Sequence, residues 1–276
     1  MAASDSPGVN RTGVIVVACL AAAIAIGVER YFAVNPVAPT HAPAWALIDR
    51  FEKVAFRDDV TPEDNPALFR DRLLRWEHPV RLRFVDVPQK VQDHAAAFLT
   101  ELQKLIGRRV WVVPFESVTP SNVRLSVVSP TEFKAIYQEI FKKKSPKKKI
   151  EKYTCFIDFS KIYRADRPIL KIYMNSFFED VYYKSCVLEE IVQSLGLIGD
   201  TFQEFDSLFV EVRRVRLDFP LNDKILLRTL YDPRLRDGMP REQVMARVRQ
   251  IIPELLAAYE AEGVEGLYQP LRDASW

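Results

Sequence analysis

The segment from Cys186 to Asp200 constrains the fold most strongly, because its spacing predicts one amphipathic helix that ends at Gly196. With 3.6 residues per turn, such a helix carries polar side chains on one side and apolar side chains on the other. The polar side consists of Glu189, Glu190, Gln193 and Ser194, and the apolar side of Leu188, Ile191, Val192 and Leu195. We therefore expect a central helix with one face against the core and one face open for polar chemistry.

The composition is that of a globular protein with one substantial core. The chain has 276 residues, of which 48% are hydrophobic and 28% are charged, and this length leaves room for a small additional lobe. The 39 basic residues nearly balance the 37 acidic ones, and the net charge is +2. Global charge therefore gives no argument for nucleic-acid binding, and we expect no nucleic acid among the partners.

Apolar periodicity predicts a mixed α/β (α+β) fold in which strands and helices alternate. Besides the central helix, the predicted strands are 80–85, 109–114, 122–128, 154–159 and 169–175, and the predicted helices are 89–106, 131–141, 221–231 and 240–262. Short helices with Trp45 as one apolar anchor are expected between 44 and 76. We divide the chain into an anchor at 1–34, a spacer with short helices at 35–76, a main domain at 77–239, and a C-terminal amphipathic helix with tail at 240–276.

The N-terminal segment predicts a single transmembrane helix. Residues 14–28 are uninterruptedly apolar, with Arg11 before them and Glu29 and Arg30 after them. Fifteen helical residues span about 22 Å, and extension to Val34 with snorkelling of Arg30 supplies the rest of a hydrocarbon core of roughly 30 Å. An uncleaved signal anchor is favoured over a cleaved signal peptide and over a lipoprotein signal at Cys19. This predicts a single-pass protein of a bacterial inner membrane with its globular domain in the periplasm.

The cysteine count favours one disulfide if the domain is exported. The chain has three cysteines, and Cys19 lies within the apolar segment. Cys155 and Cys186 are then the only thiols outside the membrane, and a bridge between them is the economical interpretation. Two independent buried thiols remain the alternative.

The central helix also resembles a known motif. Glu-Glu-Ile-Val-Gln-Ser-Leu-Gly-Leu-Ile-Gly aligns without a gap to the matrixin-type metzincin motif His-Glu-x-x-His-x-x-Gly-x-x-His. The segment 206–210 falls where that family has its methionine turn, and 221–231 is similar to its closing helix. The chain resembles still more closely an uncharacterised bacterial family of exported proteins that shares Glu-Glu-x-x-Gln-x-Leu-Gly-Leu and Leu-Tyr-Asp-Pro-Arg-Leu.

The resemblance implies a metzincin-like mixed sheet with an active-site-type helix and a helical C-terminal subdomain, but it does not imply a zinc site. The three ligand positions hold Glu189, Gln193 and Gly199, and the position of the turn methionine holds Phe209. Zinc hydrolases of this type need three imidazoles, and no histidine follows His94. We therefore expect no metal and no cofactor. A hard cation held by carboxylate and amide oxygens of the helix is the alternative.

By the same analogy, the helix lines a cleft. The expected cleft residues are Glu189, Gln193, Gly196 and Asp200, and Glu190 keeps the position of the general base. A metzincin cleft without zinc retains an exposed strand edge that is suited to an extended peptide. The strand 169–175 is expected to line this cleft.

A lysine run separates the predicted helix 131–141 from the predicted strand 154–159. It consists of Lys142, Lys143, Lys144, Lys147, Lys148 and Lys149. A solvated loop explains it without any function, and contact with anionic lipid is the alternative for a domain tethered to a membrane.

Three hypotheses about function follow. The first is a membrane-anchored, exported pseudo-protease of metzincin-like fold that has lost its zinc site and binds a peptide or protein partner. The second is a hydrolase or peptidase that uses Glu190 with a non-standard metal or none. The third is a structural accessory subunit of a membrane complex.

Overall fold

The protein is described by a computed structural model that covers residues 41–56, 71–140, 154–159, 169–200, 207–210 and 215–272. The described residues from Ala42 onward belong to one compact unit. Its elements are α1 (Ala44–Phe56), β1 (Val80–Val85), α2 (Gln89–Ile106), β2 (Val110–Val112), β3 (Val123–Val128), α3 (Pro130–Ile140), β4 (Cys155–Asp158), β5 (Leu170–Asn175), α4 (Asp180–Ser194), α5 (Leu221–Leu230), α6 (Arg241–Glu262) and a 3₁₀ helix (Gly263–Leu267).

The five strands form one mixed sheet in the order β2-β1-β3-β5-β4. The first four strands in this order are parallel to their neighbours, whereas β4 runs antiparallel to β5. In β1 and β3, buried apolar residues alternate with half-buried ones. One face of these strands therefore lies in the core, as period-2 alternation dictates.

Helices cover both faces of the sheet. Helix α2 begins after Pro88 and ends at Gly107, a left-handed cap residue, and it packs against α4. Helix α4 also contacts β4 and β5. Helix α3 lies by the other face, where Phe133 and Tyr137 make edge-on contacts with Phe156 of β4. The remaining helices α1, α5 and α6 pack against one another and close the core.

The predicted mixed α/β fold is confirmed, with five strands and six α-helices in the described part of the chain. The bounds of β1 and α2 agree with the predicted ones, and α4 begins six residues earlier than the segment that predicted it. The expectation that Trp45 anchors a short helix in the core was wrong, because its side chain is 74% exposed. The adjacent turns of α1 bury Leu47 and Phe51 instead.

The predicted membrane anchor lies outside the described residues. Among the helices that the structure describes, none is both long enough and apolar enough to cross a membrane. The anchor at residues 14–34 therefore stays a prediction from the sequence.

Candidate functional site

From Cys186 onward, helix α4 is buried on nearly all sides, including the side that the sequence predicted to be open. Glu190 is 5% exposed, Gln193 8% and Ser194 1%, whereas Glu189 remains half-buried. The sequence periodicity correctly places the polar side chains together. Periodicity gives no information about which segment covers these side chains. In the structure, an earlier segment of the same chain covers the end of the helix, and the indole of Trp76 donates a hydrogen bond to the carbonyl of Ser194 at 2.8 Å.

The buried polar groups of α4 find partners near the end of the helix. The amide of Gln193 donates to a carboxylate oxygen of Asp200 at 2.8 Å, and the hydroxyl of Ser194 donates to the carbonyl of Ile191 at 2.6 Å. These bonds satisfy polar atoms that burial would otherwise penalise. Of the four predicted cleft residues, Gln193 and Asp200 are therefore directly joined.

Gly196 has a structural role. Its φ is +125°, and an added Cβ would lie 2.1 Å from the carbonyl oxygen of Leu74. Only glycine permits both this backbone conformation and this close approach. The glycine of the motif is therefore explained by packing of the 71–77 segment against the end of α4.

Glu190 lies beside a disulfide. The predicted bridge between Cys155 and Cys186 is present, with 6.2 Å between the Cα atoms, and it joins β4 to α4. Glu190 follows Cys186 by four residues, so both side chains lie on the same face of the helix. A carboxyl oxygen of Glu190 and the two Sγ atoms all lie within 4.8 Å of one another. The Oε2 atom is buried and has no hydrogen-bond partner among the described residues.

This cluster is the one group of candidate metal ligands in the described part of the chain. In the disulfide, however, the sulfurs are bonded to each other and are not the thiolates that a metal requires. Glu190 alone remains as a charged ligand there. The oxidised cluster therefore does not fit a metal ion.

Burial gives the acids of α4 an unusual affinity for protons. Burial first, and then the negative charge of Asp200, raises the pKa of Glu190 to about 8. The pKa of Glu189 is raised well above its ordinary value by burial of the carboxyl and by the charges of Glu190, Asp200 and Asp223. At neutral pH, Glu190 is therefore mostly a neutral carboxylic acid that can donate a proton.

Asp223 belongs to the same electrostatic environment, and sequence reasoning missed it. It lies in the first turn of α5 with no exposed surface. Its carboxylate accepts hydrogen bonds from the hydroxyl of Ser207 at 2.8 Å and the amide of Leu208 at 2.6 Å. Burial raises its pKa to about 7 despite these bonds and the nearby charge of Arg50. The turn where the resemblance placed a methionine is thus held by an aspartate, and Phe209 of that turn is fully buried.

Strand β4 is one of the two edge strands of the sheet, and β2 is the other. Strand β5 pairs with β3 on one side and β4 on the other, so the expectation that 169–175 lines an open cleft was wrong. The sequence order of strands does not reveal their spatial order. Beyond β4, no further strand pairs with the sheet among the described residues.

The hydrogen-bond register shows which groups β4 offers outward. The amide of Asn175 donates to the carbonyl of Thr154, the residue directly opposite. In an antiparallel pair, bonded and non-bonded pairs alternate. The backbone amides and carbonyls of Cys155 and Ile157 therefore point away from β5, toward the outer edge.

Two other predicted features lie outside the described residues. These are the lysine run at 142–149 and the apolar segment at 14–34. Both remain predictions.

The geometry defines a mixed α/β domain with a buried acid cluster under a disulfide and one strand edge outside it. The chain matches, over residues 45–250, the family described as "Protein of unknown function (DUF2927)". Because the match covers more than half of the chain, the protein belongs to this family. No curated protein and no solved structure matches the chain.

Proposed function

We propose that the protein is a membrane-anchored, exported, metzincin-like domain without a zinc site, which binds a peptide or protein partner as an added strand at β4. The observation that carries this proposal is the outer edge of β4, where Cys155 and Ile157 direct backbone donors and acceptors outward. An extended peptide pairs with such an edge through main-chain hydrogen bonds.

The disulfide supports the same interpretation. An edge strand of four residues has few bonds to hold it in place, and the bridge from Cys155 to Cys186 fixes its first residue to α4. A fixed strand loses less entropy when a peptide pairs with it. A disulfide also agrees with export to an oxidising compartment.

The α4 sequence supports a lost catalytic centre. The aligned ligand positions hold Glu189, Gln193 and Gly199, and Gln193 is bonded within the chain. The resemblance continues through a turn at 207–210 into α5. This arrangement agrees with an ancestral protease helix whose polar residues now serve the core.

Proline substitution at the edge tests the proposal. Ile157→Pro removes an outward amide without removing a bond to β5, whereas Ile157→Ala removes the same buried side chain and keeps the amide. A displayed library of short random peptides is selected against the full chain in lipid nanodiscs, and the enriched peptides are synthesised. We expect affinity to fall about tenfold or more for Ile157→Pro and much less for Ile157→Ala. Equal loss in both variants, or no enriched peptide, contradicts binding at this edge.

Metal analysis and peptide-cleavage assays test the proposal that the protein has no zinc site and does not cleave peptides. The alternative hydrolase uses Glu190, whose raised pKa suits a proton donor. Stoichiometric zinc in the purified protein, with peptide cleavage that Glu190→Gln abolishes, would overturn the proposal. Cleavage that Glu190→Gln leaves unchanged would exclude this alternative mechanism.

A structural accessory subunit is the second candidate function, and the burial of the polar face of α4 favours it. In this case the anchor and the C-terminal helix carry the contacts with a membrane complex. A fragment that lacks residues 1–34 then loses its partner in pull-downs from membranes, whereas peptide binding at β4 survives the truncation. Flotation with anionic and neutral vesicles tests whether the lysine run at 142–149 contacts anionic lipid.

A further inference from the structure

The disulfide and Glu190 form a chemical unit that peptide binding does not use. Cys186 is 3% exposed, while Cys155 is half-buried at the edge of the sheet. Both sulfurs lie within 4.8 Å of a carboxyl oxygen of Glu190. The buried Oε2 atom has no partner among the described residues. Glu190 is thus a buried carboxylic acid whose Oε2 atom makes no hydrogen bond within the described part of the chain, and it lies beside two bonded cysteines that differ in exposure. A buried polar atom without a partner needs a chemical explanation.

We propose that Cys155–Cys186 is a reversible thiol–disulfide exchange site, with a dithiol as co-reactant and Glu190 as the proton donor to the Cys186 sulfur. We assign the Cys155 sulfur as the one that an incoming thiolate attacks, because Cys155 is the more exposed residue of the two and lies on an edge strand. Cys186 is the leaving sulfur.

The reaction balances as two exchanges. The first thiolate of the dithiol bonds to the Cys155 sulfur, the Cys155–Cys186 bond breaks, and Cys186 leaves with the electron pair. Glu190 gives its proton to this sulfur and becomes a carboxylate. The second thiolate of the dithiol then attacks the dithiol's own sulfur in the mixed disulfide, and Cys155 leaves with the electron pair and takes a proton from solvent. The dithiol is oxidised to its disulfide and the protein is reduced to two thiols, with solvent returning a proton to Glu190.

The surroundings of Cys186 make a proton donor necessary. A thiolate that is 3% exposed loses most of its hydration, and the charged form is correspondingly disfavoured. Glu190 lies one helical turn away, and the raised pKa keeps its carboxyl protonated at neutral pH. When Glu190 donates its proton to Cys186, the negative charge moves from the buried sulfur to the Glu190 carboxyl, which is already packed at this site.

Other charged groups around α4 determine how Glu190 titrates. The charge of Asp200 acts on Glu190 directly, and the charges of Glu190, Asp200 and Asp223 of α5 act on Glu189. Helix α2 places its own charged groups toward the beginning of α4: His94 is influenced by Lys184, and Lys90 forms an ion pair with Asp180. Asp158 of β4 points to the face of the sheet opposite to that of Cys155, because successive side chains of a strand alternate between the two faces.

Reduction kinetics of the full chain test the proposal. The oxidised protein is treated with dithiothreitol between about pH 6 and pH 9.5, quenched with acid, alkylated and weighed by mass spectrometry. Each rate is divided by the concentration of reagent thiolate, which removes the titration of the reagent. We expect the wild-type rate per thiolate to fall about tenfold or more as pH rises through about 8, and Glu190→Gln to be low and flat. Glu242→Gln, an exposed acid in the first turn of α6, should keep the wild-type profile.

A flat wild-type profile overturns the proposal whatever the variants do, and so does a Glu190→Gln profile equal to that of the wild type. Far-UV circular dichroism verifies that each variant is folded. A second measurement needs no variant: brief reaction with glutathione, alkylation and peptide mapping should place the mixed disulfide on Cys155. A mixed disulfide on Cys186, or reduction only after denaturation in urea, overturns it. These outcomes do not depend on peptide binding at β4.

Discussion

Replacement of Glu190 by glutamine should change how stability depends on pH. In the folded protein, burial and Asp200 raise the pKa of Glu190 to about 8, against an ordinary value of 4.5. The folded state therefore binds this proton more tightly than the unfolded chain. The stabilisation is complete below about pH 4.5 and is lost as pH rises through about 8. Each tenfold change in proton affinity is worth about 1.4 kcal/mol, so the full loss is on the order of 5 kcal/mol.

Glutamine cannot titrate, so Glu190→Gln removes this contribution. Its buried amide introduces a penalty of its own, but that penalty is independent of pH. The measurement is urea unfolding of the oxidised full chain at fixed ionic strength from about pH 5 to pH 9. Relative to the wild type, the variant should gain roughly 4 kcal/mol in free energy of unfolding across this range, because part of the difference is already lost between pH 4.5 and pH 5. A difference that stays constant within about 1 kcal/mol would refute the raised pKa. Glu242→Gln controls for the loss of one acidic residue.

Three further substitutions test other parts of the structure by urea unfolding at neutral pH. Gly196→Ala should destabilise by more than about 4 kcal/mol or prevent folding, because its Cβ meets the Leu74 carbonyl at 2.1 Å; a loss below about 1 kcal/mol would contradict this geometry. Asp223→Ala should cost about 3 kcal/mol, since a buried hydroxyl and a buried amide both lose their acceptor, and a near-neutral effect would show that the turn is held otherwise. The double replacement of Cys155 and Cys186 by alanine should cost about 4 kcal/mol, as expected for a bridge of sequence separation 31, and unchanged stability would show that the bridge does not constrain the unfolded chain.

The sequence predicted local structure well where the apolar pattern is regular. Strand β1 alternates apolar and basic residues, and α2 repeats apolar residues at helical spacing up to Gly107. In both cases local pattern and tertiary burial agree, so the bounds were correct. The beginning of α4 was missed because Val181, Tyr182 and Tyr183 have low helix propensity. Val181 and Tyr182 remain exposed, whereas Tyr183 is buried and its hydroxyl donates a hydrogen bond to the Asn175 carbonyl, a tertiary contact that local propensity cannot reveal.

The site was predicted in composition but not in environment. Spacing showed that Glu189, Glu190 and Gln193 lie together, and cysteine counting indicated the bridge to β4. The covering of this face depends on chain segments distant in sequence, such as Trp76, which periodicity cannot reveal. The buried role of Asp223 could not be predicted from the sequence, because an acidic residue in the first turn of a helix is common and usually interacts only with the helix dipole.

The disulfide determines which chemistry the acids of α4 can perform. Glu190 is 5% exposed and lies under the bridge, so a substrate cannot approach its carboxyl while Cys155 and Cys186 remain bonded. A hydrolytic role for Glu190 would need that bond to open or the helix to move before a substrate could reach the carboxyl. Proton transfer to Cys186 instead accompanies the opening of the bond and needs no movement of the helix, because donor and acceptor are already neighbours. Peptide pairing uses backbone groups of β4 that point outward and leaves the acids untouched. Peptide pairing and thiol exchange therefore use different groups but share Cys155, so reduction of the bridge, which releases the first residue of β4 from α4, should weaken peptide pairing.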